Sequence, residues 1–218
     1  MATQVENPLS AARLVEVVPG RKRNFYDAPA DATEEAMLKR AKAYVVAGDL
    51  LVATATLGRF TRVAYVNHHH RARSGWIESA ALRQTFSPMP APHTWRGEWI
   101  AGEIDADIEI SSGKMSDSLR LDANATWGTN DPVRVRNGAV HDGGFAVEAL
   151  PDKDLIAFTV DWTRDQQGVQ SLAALPYSAG DVDDCRVAMR LLGPYLLVRD
   201  NDNCGGVNVT FSGLYRRR

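Results

Sequence analysis

Cys185 and Cys204 are the only cysteines in the chain, and their state decides what chemistry is open to it. A free thiolate beside a histidine would be a nucleophile. Joined to each other, the sulfurs close a loop of about 20 residues and leave such work to other groups. The flanking residues favour the bridge. Strand patterns at 186–192 and 195–198 lie between the cysteines, with Gly193-Pro194 as a turn signal. The expectation is a disulfide-closed hairpin in an oxidising compartment. The alternative is a pair of reduced, buried thiols in a cytosolic protein, since a thiol packs as a small apolar side chain.

Carboxylates come next. Glu103, Asp105, Asp107 and Glu109 alternate with Ile104, Ala106, Ile108 and Ile110. On a strand that spacing sends all four acids to one face. A glycosidase needs two carboxyl groups facing each other across a cleft in unlike environments. Four acids on one open face share an environment and do not fit. They read as a solvated face or as an acidic surface for a basic protein, such as a lysozyme-like hydrolase, where complementary charge speeds encounter. Trp95 and Trp99 stand four apart, on one side of an extended segment. They either pack the domains together or offer a platform to a sugar or peptide.

Other clusters are weaker. His68, His69 and His70 are consecutive, so on a hairpin tip they point opposite ways and converge poorly on a metal. Asp200-Asn201-Asp202-Asn203 opens like a calcium loop but lacks the central glycine and downstream glutamate. The same residues form tight turns. Neither a G-x-S-x-G elbow nor a glycine-rich phosphate loop occurs. No catalytic residue, metal ligand or cofactor is assigned.

These groups must be positioned by strands. Residues 1–20 form a leader, partly unordered or an added strand. A short helix or loop is expected over 32–42. Short strands follow at 44–46, 50–54, 62–66 and 75–77, which over 21–86 make a small barrel. Pro88, Pro90 and Pro92 stiffen a linker at 87–94. Strand patterns then recur over 95–218, at 103–110, 118–124, 155–162, 186–192, 195–198 and 207–215. The fold class is all-β: two domains, the second an antiparallel barrel or sandwich closed by the disulfide.

The net charge of -2 argues against a nucleic-acid partner, which meets a basic field. No apolar run reaches the length of a membrane-spanning helix. The first 20 residues lack the apolar core of a signal peptide. With the cysteine pattern, this implies a periplasmic or secreted protein whose export signal has been removed.

The run 23–82 resembles a bacterial SH3-like (SH3b) module. The residues that carry the resemblance are Phe25-Tyr26-Asp27-Ala28-Pro29, the stretch from Ala43 to Asp49, Arg62-Val63-Ala64-Tyr65-Val66, and Ser74-Gly75-Trp76-Ile77 with Ala81-Leu82. The insertion between Pro29 and Ala43 is longer than usual. The resemblance implies an SH3-like barrel that is non-catalytic, extracytoplasmic, and binds cell-wall peptides or proteins. Tyr26, Tyr44, Tyr65 and Trp76 read as core residues rather than as a ligand platform, which is the alternative. The ending, with two cysteines, Gly205-Gly206 and a final Gly-x-Tyr strand, is fainter. It is similar to envelope β-barrel domains such as periplasmic lysozyme-inhibitor proteins.

The expected function is therefore non-catalytic recognition of cell-wall peptide or glycan, or inhibition of a wall-degrading enzyme in the manner of an immunity protein. The alternative is a wall hydrolase targeted by its SH3-like module. A third reading, a small-ligand carrier, needs a hollow second barrel.

Overall fold

A computed structural model describes residues 9–29, 33–86, 88–163 and 172–218. The chain divides into two compact units, Ser10–Pro88 and Met89–Arg218, the second also taking in the segment up to Leu9. Both are antiparallel β.

The first unit is one seven-stranded sheet. Its strands are β1 (Arg13–Val17), β2 (Arg23–Asp27), β3 (Lys39–Val45), β4 (Leu50–Leu57), β5 (Phe60–Val66), β6 (Ala72–Glu78) and β7 (Leu82–Gln84). They lie in the order β3-β2-β6-β5-β4-β1-β7. Val17, Phe25, Val45, Leu51, Val63 and Ile77 fill its core. β1 belongs to the stretch read as a leader. It is held because Leu14 and Val15 face buried ground and its backbone pairs with both β4 and β7. Residues 1–8 of that leader lie outside the described residues.

The helix expected over 32–42 is a single 3-10 turn, Glu35–Met37, followed at once by β3. Ala36, Met37, Leu38 and Ala41 looked like one apolar helix stripe, but none of them is buried. With no face to bury, a short helix has little to hold it. Three of the four aromatics assigned to this core also sit differently. Tyr44 is 53% exposed, whereas Tyr26 and Trp76 are half-buried, and of the four only Tyr65 packs against the core cluster. Gly75 explains part of this. A Cβ there would lie 3.1 Å from both the Phe25 ring and the Tyr26 carbonyl, so β2 and β6 approach closely without side chains between them.

The second unit is a nine-stranded sheet. It contains β8 (Gly97–Ala101), β9 (Asp105–Ser112), β10 (Leu119–Trp127), β11 (His141–Ala149), β12 (Leu155–Val160), β13 (Ala174–Pro176), β14 (Arg186–Leu192), β15 (Tyr195–Asp200) and β16 (Gly213–Arg217). The order is β11-β10-β9-β8-β16-β15-β14-β12-β13. The two edges meet. Glu148 on β11 bridges Ala173 beside β13, and its N–H donates to the Leu172 carbonyl at 2.5 Å. The sheet therefore closes almost into a barrel.

Its interior is filled rather than hollow. Trp95, Trp99, Phe145, Phe158, Phe211 and Tyr215 are all buried in one core cluster. The Phe145 ring meets Phe158 and Phe211 edge-on at 5.5 and 5.0 Å. Burial holds the Tyr215 phenol well above its ordinary pKa, so it remains a neutral donor to the Phe211 carbonyl. Among the described residues, large aromatic rings occupy the interior space that the small-ligand carrier reading would need.

Cys185 and Cys204 are disulfide-bonded, with Cα atoms 4.6 Å apart. They flank the β14–β15 hairpin, whose turn has Gly193 at φ 58°. The glycine after Cys204 has a steric cause. A Cβ on Gly205 would sit 2.7 Å from the Gly143 Cα, and one on Gly143 would sit 2.6 Å from the Cys204 carbonyl. Two backbones cross there, and only glycine allows it. The strand expected over 207–215 shrinks to β16. Residues before it wrap around Asp200, whose buried carboxylate accepts from Thr210 Oγ1, the Phe211 N–H and Ser212 Oγ.

Among the described residues no helix is long and apolar enough to cross a membrane.

Candidate functional site

The outer face of β8–β11 carries a cluster of charged side chains. Alternation along β9 turns Ala106, Ile108 and Ile110 into the core and leaves Asp105, Asp107 and Glu109 outside. Three of the four sequence-predicted acids are therefore brought together. Glu103 is not among them. It lies in the bend between β8 and β9, because the strand begins only at Asp105 and Ile104 turns to pack on the core.

The neighbouring strands extend the acidic face. Cross-strand register sets Glu109 directly opposite Glu98 on β8 and Asp122 on β10. Asp142 on β11 stands opposite Thr126, and Glu148 opposite Arg120. Some charge is neutralised locally. Arg120 grips Asp122 with two bonds of 2.7 Å, and Arg218 reaches Glu98 at 2.6 Å. Asp105 accepts from the hydroxyls of Thr126 and Thr129, both at 2.8 Å. These hydroxyls orient its carboxylate without cancelling its charge.

Sequence reading missed Glu98, Asp122, Asp142 and Glu148. Asp122 was within reach, since it lies on an alternating run. Asp142 and Glu148 were hidden because β11 contains Gly143-Gly144, which does not look like a strand.

Of the two readings of the tryptophans, packing or an open platform, the platform does not hold, because both rings are buried. Trp95 ends a 3-10 turn, Pro92–Trp95, and is wholly buried; Trp99 lies on β8 and points inward. The proline run does not carry an extended chain as far as Trp95, so the two rings do not share an open side. Trp99 Nε1 donates to the Trp95 carbonyl at 2.8 Å. Neither ring can serve as a platform for sugar or peptide. The basic ending is likewise committed, with Arg217 lying 4.7 Å over the Trp99 ring and Arg218 on Glu98.

Of the remaining clusters, the three histidines occupy the β5–β6 tip. There Asn67 accepts the His69 and Arg71 N–H groups, and His70 adopts φ 55°. The first residue of the candidate calcium loop, Asp200, points into the protein and is spent on the bonds above. Among the described residues no three His, Cys, Asp or Glu side chains converge as a metal site.

The titration of Asp107, in the middle of the face, is displaced upward. Burial raises its carboxyl, the Asn124 hydrogen bond opposes the rise, Glu98 and Asp105 add to it, and Arg218 offsets it. A carboxyl that holds its proton more tightly folded than unfolded favours the fold at low pH. That contribution fades as pH rises past 3.8 and through the raised value. Asp107→Asn should match the wild type at the acid end and gain stability as pH climbs. The gain should stay under about 0.5 kcal/mol, because the group is only half-buried. Urea midpoints across a pH series read it; a gap that widens toward acid would reverse the sign.

No protein-family model, curated protein or solved structure matches the chain.

Proposed function

We propose that this is a non-catalytic cell-envelope protein, periplasmic or secreted, whose acidic β8–β11 face docks a basic partner of the lysozyme-like, wall-degrading kind and inhibits it. One observation carries the reading: Asp105, Asp107 and Glu109 leave the same side of β9, and Glu109 stands between Glu98 and Asp122, whose charges Arg218 and Arg120 offset only at the flanks. Like charges set directly opposite each other on a sheet cost stability. A face kept that way is suited to meet positive charge. The carboxylates lie side by side on an outer surface rather than across a cleft, which favours recognition over hydrolysis. The disulfide is compatible with an extracytoplasmic location. The resemblance of the first unit to SH3-like wall-binding modules would keep such an inhibitor near its target.

The test pairs the full chain with a basic muramidase and follows both association rate and cell-wall lysis. Association should slow about 10-fold between low and physiological salt. A double variant, Asp105→Lys with Glu109→Lys, should lose inhibition while keeping its thermal midpoint. Inhibition indifferent to both salt and charge reversal would remove the acidic face from the account. Release of muropeptides by the pure protein would replace inhibitor with hydrolase, and retention on sacculi without any effect on the muramidase would leave only wall binding.

A further inference from the structure

The first unit contains a cavity of about 170 Å³ between β2, β3 and β6. Lys22, Arg23, Asn24, Tyr26, Arg40 and Glu78 line it. Three other arginines of the same unit have carboxylate partners. Arg59 pairs with Glu35, Arg73 with Asp27 and Arg83 with Glu16. At the cavity, charge is steered but not cancelled. Arg40 donates to the neutral side-chain oxygen of Asn24 at 2.6 Å, and Asn24 in turn donates to the Ala41 carbonyl at 3.0 Å. Lys22 rests its ammonium 4.7 Å over the Tyr44 ring. Arg23 Nε is buried and, among the described residues, has no hydrogen-bond partner.

A buried N–H without an acceptor is costly and is uncommon in folded proteins. Two guanidiniums and an ammonium beside one carboxylate, Glu78, leave net positive charge and unspent donors. Guanidinium donors match the planar or tetrahedral oxygens of a carboxylate or phosphate. The exposed Tyr44, out of place in a core, finds its use in holding Lys22.

We propose that this cavity binds a small oxyanion, a carboxylate or phosphate, on Arg23 and Arg40, with Lys22 at the rim and Glu78 accepting from a hydroxyl or amine of the same ligand. The site is separate from the acidic face of the second unit and stands or falls apart from it.

Titration of the full chain with inorganic phosphate, and separately with acetate, tests it by amide NMR at an ionic strength matched with sodium chloride. Saturable shifts should appear at residues 22–26, 40 and 78. Arg23→Gln should weaken binding about 10-fold or more. Arg40→Gln should do the same, which guards against a folding defect in the first variant. Arg83→Gln, an equal loss of charge on β7, should leave the affinity unchanged. Saturation by phosphate alone points to a phosphate-bearing ligand, by acetate alone to a carboxylate, and by both to a site that accepts either. Shifts no larger than those from chloride, or equal in all three variants, would overturn the proposal.

Discussion

Replacing Trp99 with alanine is expected to cost the second unit about 3–5 kcal/mol, the range for deleting a large buried ring. The ring is 1% exposed and belongs to the same core cluster as Ile108 and Tyr215. Its loss opens a void that a closed sheet cannot collapse, because both edges are tied. It also leaves the Trp95 carbonyl without its donor and the Arg217 guanidinium without the ring beneath it. Trp99→Phe keeps most of the volume and should cost about half as much. Chemical denaturation followed by far-ultraviolet circular dichroism reads both. An unchanged midpoint for the alanine variant would mean that the ring is dispensable to the core.

Breaking the Cys185–Cys204 bond should lower stability by about 3 kcal/mol, from the entropy an unfolded loop of this length regains. The separation of 19 residues sets that size. For a unit this large the shift in Tm should exceed about 8 °C. The effect should be confined to the second unit, since both sulfurs lie within it. The first unit's transition then serves as an internal reference. Thiol titration of unreduced protein should read no free sulfhydryl. A full titre would contradict the clasp and with it the extracytoplasmic placement, whereas a reduced protein with an unchanged midpoint would show the clasp to be idle.

How much was legible beforehand follows from where each signal lived. β9 was readable because its apolar and acidic residues alternate over six consecutive positions, Asp105 to Ile110, which is a local property. The β14–β15 hairpin was readable because its turn, its two apolar strands and both cysteines lie in one short stretch. β11 was not, because the glycines that interrupt it answer to a backbone crossing from the Cys204 loop, some 60 residues away in sequence. Asp200 looked like a surface turn or metal ligand, yet its acceptors are filled by Thr210, Phe211 and Ser212.

The sequence by itself determined the all-β class, the hairpin between the two cysteines that favours their bridge, and the outward direction of Asp105, Asp107 and Glu109. Each follows from period-two alternation, or from turn and cysteine spacing, within a few residues. Only the tertiary structure decided that Glu98, Asp122, Asp142 and Glu148 join that face, that Trp95 and Trp99 are core, and that Arg23 and Arg40 share a cavity. Burial and cross-strand register join residues distant along the chain, and no local pattern records which strands become neighbours.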